Sequence, residues 1–517
     1  MVAYRDVLLR RGDYIWGSFV KPERVDGYIV GVNPSQRIDI LGRFPFSESS
    51  VDDAVSSAMR GFVLWRQCSL SQRVQSLRRF RDGLSKHQPY LASLISREVG
   101  KPRWEARQEV LATLRAVDLV LEDGLTLLES RVLDPTEARS DYIPRGVVAV
   151  LTPYNDPLQI PSMQIACALL AGNTVVFKPS KFSPAVGQSI AEILDRCKLP
   201  RGVFNMVQGS GSTIGQRLAT HPGVDALVFS GSFSTAMEIR RATFERPEFP
   251  TLLQCGGKGC AIVTPSAHLE RAVYEVMVGA FLTAGQRYNG TGRVIVVSSV
   301  YDQFVSELKN RCNGIQIAMP DEPDCFMGPL ISDNLRKRQR RYGKALIQRG
   351  HTQILKRQPA EAIGRRGFFA GPEIYAVNWQ TGHAFLNEEP PGPTLLVYRV
   401  DSWEDAVALH NQLVYRTSAA VFADPEDPEL GDIISRLKTG SVNVNRSTIG
   451  SSLRLPSVGL GRASNGIPAG LDLLRFLSTP RARLVESRAF DPAATLPGTN
   501  WSDEEEDDIP TIAPEAR

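Results

Sequence analysis

The apolar positions change rhythm twice along the chain. Residues 13–47 carry short apolar runs broken by turn residues, "DGYIVGV" and "DILGRF", and read as short strands. Residues 51–128 read as helices: Ala54, Ala58, Phe62 and Trp65 fall at helical spacing, as do Leu77, Phe80 and Leu84. From Gly146 the runs "GVVAVL", "NTVVFK", "GVFNMV" and "DALVFS" alternate with helical stretches near 160–171, 184–197, 212–220 and 234–244. That alternation predicts parallel βαβ units, hence an open α/β sheet with helices on both faces. A second series begins near residue 252 with "TLLQCGG", "GCAIVT", the helix 269–284, "RVIVVSS" and the helix 300–311. It continues through "TLLVYRV", the helix 402–412, "SAAVFA" and "GSVNVN", so a second domain is expected at 252–444. The two series share texture and no sequence repeat.

Composition adds limits. At 517 residues, two or three domains are expected. With 42% apolar and 22% charged residues the chain has the balance of a soluble globular protein. No run is long and apolar enough for a membrane helix, and the start, "MVAYRDVLLRRGDYIWG", lacks a signal-peptide pattern. The cysteines at 68, 167, 197, 255, 260, 312 and 325 include no CxxC pair; this argues against a disulfide framework or zinc site and suits a reducing cytoplasm. The net charge of +4 conceals an acidic end: residues 501–517 hold seven acids and one arginine. The cluster Asp503 to Asp508 reads as a solvated tail, with a contact arm for a basic partner as the alternative. The basic run "RKRQRRYGK" (336–344) lacks interleaved aromatics, so it reads as a solvated helix face and not as a nucleic-acid site.

In open α/β sheets ligands bind at the carboxyl ends of the strands. The polar turns "TPYND", "KPSK", "QGSGSTIG" and "SGSFS" fall at those ends here. Gly209, Gly211 and Gly215 follow a strand and open a helix, where glycines let the backbone approach a pyrophosphate. The spacing is GxGxxxG, so a ligand-free tight turn would explain it equally well. Ser230-Gly231-Ser232 is a second hydroxyl-rich helix start, and Lys178 a cation on the same edge. Together they point to nucleotide binding. His221 and His268 stand alone and read as structural.

Seven segments, in order, resemble the aldehyde dehydrogenase superfamily: "TPYNDPL", "LLAGNTVVFKPS", "LPRGVFNMVQG", "HPGVDALVFSGS", "LLQCGGKGCAIV", "GAFLTAGQR" and "EEPPGP". The resemblance spans roughly residues 25–485, and "REVGKPRWEA", "PYN" and "FLTAGQR" look most like its succinylglutamate semialdehyde dehydrogenases. It implies a Rossmann-like NAD(P)-binding domain over 1–128 and 146–251 with 453–470, and a catalytic-like domain at 252–444. It also implies an arm at 129–145 and 471–490 that builds homodimers or tetramers, leaving 491–517 as the acidic tail. By the same resemblance Asn155 matches the oxyanion asparagine and Lys178 the ribose-binding lysine of "KPS", in which Ser180 is the last residue. Ser232 matches the pyrophosphate-binding serine and Glu389 the glutamate that binds the nicotinamide ribose.

Two reactive positions depart from the pattern. The family's "GQRC" reads "GQRY", placing Tyr288 at the nucleophile, and its "LELGG" reads "LQCGG", placing Gln254 at the general base. Lys181 replaces an acid that binds a ribose hydroxyl, Ala236 a glycine, Pro390-Pro391 a hydrophobic pair, and Pro456-Ser457-Val458-Gly459 the "PFGG" motif. A phenol of pKa about 10 is ionised at pH 7 only to about one part in a thousand, and an amide accepts no proton from water. Cys255 and Cys260 correspond to apolar core positions and read as inert. The expected protein is therefore of this fold without its covalent aldehyde oxidation, serving in binding or assembly. The alternative is an NAD(P)-dependent oxidoreductase that transfers hydride directly to or from a carbonyl or imine. An active semialdehyde dehydrogenase of amino-acid catabolism ranks last.

Overall fold

The computed structural model describes residues 12–134, 138–379, 384–450, 452–486, 489–491 and 496–499. The acidic cluster 503–508 lies outside them.

Strands Val147–Leu151, Thr174–Lys178 and Ala226–Ser230 are buried at every position. Strands covered on both faces need continuous apolar runs, which is why they were legible without alternation. They form the centre of a seven-stranded sheet. Its order is Thr251–Gln254, Ala226–Ser230, Val147–Leu151, Thr174–Lys178, Phe204–Met206, Asp13–Ile15, Ser18–Val20. The first five are parallel and the last two antiparallel. Thr251–Gln254, expected to open the second series, is thus an edge strand of the first sheet. Its pairing of Ser230 with Gln254 brings two polar strand ends side by side.

A second seven-stranded sheet runs Thr352–Lys356, Glu373–Ala376, Thr394–Val400, Thr291–Val297, Gly259–Val263, Ala419–Phe422, Val442–Val444. All neighbours are parallel except the first pair. The two strands at 352–376 were missed in the sequence because each has only four or five residues among polar neighbours.

Helices cover the first sheet. Trp65, fully buried, donates from Nε1 to the Leu169 carbonyl at 3.0 Å and ties the helix Ser49–Trp65 to the helix Gln159–Leu170. Ser69 and Gln72 form a capping box at the start of the next helix. Leu473, Leu474 and Leu477, assigned from sequence to the arm, pack instead into the first core because their side chains are apolar and buried.

A separate unit comprises Glu129–Tyr142 and Pro480–Arg517. Its three-stranded sheet has the order Ser478–Leu484, Ala138–Pro144, Arg131–Asp134. Asp141 accepts from Ser130 Oγ at 3.0 Å and faces Arg139, Arg481 and Arg483 at 3.4, 3.7 and 3.8 Å. No helix among the described residues is long and apolar enough to cross a membrane.

Candidate active site

Asn155, Lys178, Ser180, Lys181, Gly211, Gly215, Gly231, Ser232, Gln254, Tyr288 and Glu389 line one cavity of about 1010 Å³, whereas Gly209, Ala236, Pro390, Pro456, Val458, Gly459, Cys260, His221 and His268 do not border it. It opens where the parallel strands of the first sheet end: Leu151, Lys178, Ser230 and Gln254 are the last residues of four of them, and all four border it.

Tyr288 enters from the turn between the helix Leu269–Phe281 and the strand Thr291–Val297. That turn is tightly coiled: Thr283, Ala284 and Gly285 all have positive φ, at 55°, 51° and 66°. A Cβ on Gly285 would fall 2.2 Å from the Gly392 carbonyl oxygen, so only glycine fits there. Gly256, with φ of 72°, runs so close to Tyr288 that a Cβ would lie 2.9 Å from the tyrosine Cβ. The Tyr288 hydroxyl hydrogen-bonds Ser457, and its carbonyl accepts from Lys258 N at 2.9 Å. Burial raises the phenol pKa and the Asp156 carboxylate adds to it; Arg287 and the Ser457 bond only partly oppose the rise. The phenol is therefore a protonated group with the hydrogen to give.

Gln254 donates from Nε2 to the Ile467 carbonyl at 3.4 Å. It offers an amide where water activation would need a carboxylate. Cys255 also borders the cavity, but burial pushes its thiol up to about 12, and Cys260 is likewise pushed to about 12. Neither is a thiolate near neutral pH.

Asn155 is held from below. Its Nδ2 donates to Asp156 Oδ2 at 3.3 Å, and Asp156 Oδ1 receives Lys101 Nζ at 2.7 Å. Lys101 also donates to Glu109 Oε2 at 2.8 Å, and Glu109 Oε1 accepts from the Leu158 backbone at 2.9 Å. Arg287 reaches Glu105 at 3.2 Å and Asp156 at 3.9 Å, while Thr283 hydroxyl donates to the same Glu105 oxygen. These charges are almost wholly buried, except Arg287, which keeps a fifth of its side chain exposed. Burial alone would raise the Asp156 carboxyl, but Lys101 and Arg287 outweigh it and hold the pKa below the usual range. The network joins the helix Arg103–Leu121, the Asn155 turn and the Tyr288 turn. Local spacing does not reveal it; a carboxylate directly after Asn155, in an otherwise apolar stretch, is its one visible sign in the sequence.

The opposite side of the cavity carries the expected nucleotide contacts. Lys178 Nζ donates to the Pro179 and Gly209 carbonyls at 2.8 and 3.4 Å, which leaves one of its three hydrogens for a ligand. Burial, with Lys181 adding to it, lowers the Lys178 pKa to about 8. Ser232 caps the helix Phe233–Ala242, accepting from Thr235 N at 3.3 Å. Gly231 borders the cavity just before this cap. A Cβ on Gly211 would meet open space, and Gly215 packs against the Lys178 stem. Ser180 accepts from Phe182 N at 3.2 Å, and Lys181 is exposed with its ammonium 5.2 Å from the Phe182 ring centre. Gln164 Oε1 is buried without a partner while its Nε2 donates to Ser230. Glu389, whose pKa burial raises, completes the lining. Free backbone approach, a spare lysine hydrogen and a capped helix start fit a dinucleotide.

His268 caps the helix Leu269–Phe281 and His221 accepts from Gly223 N, so both have structural partners. Among the described residues no cluster of metal-ligating side chains occurs.

A cavity across the carboxyl ends of a parallel sheet, edged by glycine-rich and serine-capped helix starts, defines the Rossmann-like nucleotide-binding class. The comparisons are more specific. The model of the aldehyde dehydrogenase family matches residues 19–482, and the chain belongs to that family. N-succinylglutamate 5-semialdehyde dehydrogenase of Burkholderia thailandensis is 33% identical over 465 residues, covering 88% of this chain and 93% of its own. The structure resembles lactaldehyde dehydrogenase from Escherichia coli with a TM-score of 0.86 at 28% identity, covering 92% of this chain and 99% of that one. NADP-dependent glyceraldehyde-3-phosphate dehydrogenase from Bacillus halodurans, solved with NADP, gives 0.85 at 27% identity, covering 92% and 98%.

Proposed function

We propose that this chain keeps the dinucleotide cleft of its family but does not oxidise aldehydes through a covalent thioester, and that it acts through binding or assembly. The carrying observation is the pair Tyr288 and Gln254, which leaves the cavity with neither a thiolate nor a carboxylate base at the two reactive positions. Each loss alone could be compensated; the two together remove both acylation and deacylation.

Nicotinamide dinucleotide is the ligand the cleft fits, with Lys178, Ser232, Gly211 and Glu389 as its contacts. A spare cation at Lys181, where a ribose-binding acid would favour NAD, favours the 2′-phosphate of NADP. Calorimetric titration of the full chain tests this: NADPH should bind, and more tightly than NADH. No binding of either at millimolar concentration would remove the coenzyme from the account.

A second reading is direct hydride transfer, favoured by a protonated Tyr288 sharing the cavity with Asn155. Asn155 polarises a carbonyl or imine, Tyr288 Oη gives its proton to the oxygen or nitrogen, and bound nicotinamide supplies the hydride to the carbon. Turnover of such a compound that Tyr288→Phe abolishes would establish it; turnover unaffected by that change would not be this chemistry.

We also read the separate unit as an oligomerisation arm between copies of this chain. Its support is a three-stranded sheet bearing exposed Val132, Leu133, Leu484 and Val485. A reducing cytoplasm remains the compartment the cysteine usage favours.

A further inference from the structure

One face of the second sheet is closed by the helices Asp333–Gln348 and Trp403–Gln412. Most of what is buried there is apolar, including Ile262, Ile295, Leu346, Leu396 and Val421. Four polar side chains share the layer. Arg293, in the strand Thr291–Val297, stands in register with Leu396 and Cys260, so the three side chains share that face. Tyr398 lies two residues beyond Leu396 on the neighbouring strand, on the same face. Tyr342 and His410 come from the two covering helices. Arg293, Tyr398 and His410 are each 1% exposed, and Tyr342 is 7% exposed.

All four hold polar atoms without a hydrogen-bond partner: Arg293 Nε and Nη1, both His410 nitrogens, and the Tyr342 and Tyr398 hydroxyls. Arg293 Nη2 is engaged, donating to the Phe385 carbonyl at 2.7 Å and to the Glu388 carbonyl. Three hydrogens of the guanidinium are left over. Tyr398 Oη lies beside it in a geometry that gives neither a directed bond. The Arg293 charge also acts on Tyr342 and His410, so the four groups are neighbours. The other charges that reach them are Arg338, Arg416 and Glu388, of which the carboxylate is exposed. Among the described residues neither Arg293 nor Arg416 has an ion pair. Elsewhere buried cations are matched, Lys101 by Glu109 and Asp156 and Arg287 by Glu105. An unmatched buried guanidinium is costly, and water would satisfy its hydrogens without cancelling its charge.

We infer that Arg293, Tyr342, Tyr398 and His410 enclose a small monovalent anion of the halide class, such as chloride. Apart from one imidazole nitrogen, their unpartnered atoms are N–H and O–H donors. Burial, with Arg416 and Arg293 adding to it, pushes the imidazole pKa down to about 4, so His410 takes part as a neutral ring with one N–H to give. The close-packed apolar side chains around the four suit a monatomic ion better than a phosphate. This site is independent of the cavity and of any coenzyme or turnover there.

The test uses the full chain in sodium gluconate, titrated with sodium chloride at constant ionic strength while its thermal midpoint is followed. A ligand that binds only the folded chain raises the midpoint. The rise should be saturable, should recur with bromide, and should be absent when only gluconate is added. Crystals soaked in bromide should show an anomalous peak in contact with Arg293 Nε or Nη1. Tyr398→Phe and His410→Leu keep the side-chain bulk and should each weaken chloride binding about tenfold, as loss of a hydrogen bond to a charged group does. Arg293→Met should remove the chloride dependence altogether. Equal midpoints in chloride and gluconate, the result that water at the site would give, overturn the inference. So does bromide bound only elsewhere, or a chloride dependence that survives Arg293→Met. Should Arg293→Met not fold, an undiminished dependence in both Tyr398→Phe and His410→Leu overturns it equally.

Discussion

Tyr288 and Lys178 stand on the same cavity, and burial shifts both toward their neutral forms with opposite chemical consequences. For Tyr288 the neutral form keeps its proton, so it can donate but not attack. For Lys178 the neutral form loses the charge that a coenzyme would meet. With its pKa lowered from 10.5 to about 8, its ammonium is mostly present at pH 7 and mostly gone by pH 9. NADPH affinity is therefore expected to fall as pH rises through about 8, and the fall should vanish in Lys178→Met; a pH-independent affinity in the parent chain would contradict this. The stability effect has the opposite sign. Between about 8 and 10.5 the unfolded chain binds more protons than the folded one at this lysine, so folding gains stability as pH rises there. Lys258, also lowered to about 8 by burial, adds to the same rise. The identity of Tyr288 and Gln254 was legible in the sequence because each sits inside a recognisable motif. Their partners, Ser457 and the Ile467 carbonyl, were not, since they come from a distant segment that only the fold brings near.

At the scale of elements, the buried ionic network fastens the Asn155 turn and the Tyr288 turn to one helix. Lys101 serves two carboxylates at once, so removing it leaves Glu109 and Asp156 unpaired in a dry interior. Breaking one partner of such a pair costs about 3–5 kcal/mol. Lys101→Met should lower the unfolding free energy measured in urea by that amount, moving the midpoint down while leaving the denaturant slope unchanged. A loss below about 1 kcal/mol would mean that water reaches the site. Sequence rhythm found the helices and the buried strands because each rests on local spacing. It could not find this network: Lys101 and Asp156 lie 55 residues apart, and nothing local marks them as a pair. The strand Thr251–Gln254 was misassigned for a related reason, since a strand's texture does not say which sheet will accept its edge.

For the whole molecule, the family and the two-sheet architecture were readable from ordered motifs, because those motifs sit at strand ends where glycine, lysine and serine have geometric work to do. The sequence set 129–145 and 471–490 apart as an arm; the structure has a separate unit at Glu129–Tyr142 and Pro480–Arg517, and Leu473, Leu474 and Leu477 belong to the first core. If the arm joins copies, sedimentation should show the full chain as a dimer or larger, and a monomer at micromolar concentration would end that reading. The central claim concerns chemistry lost from a retained scaffold, and an activated ester tests it without knowledge of the natural substrate. p-Nitrophenyl acetate acylates an active thiolate and releases a stoichiometric burst of nitrophenolate in the first turnover. The account predicts no burst from the parent chain and a burst, followed by steady release, from Tyr288→Cys combined with Gln254→Glu. A stoichiometric burst from the parent chain that disappears in Tyr288→Phe would contradict it.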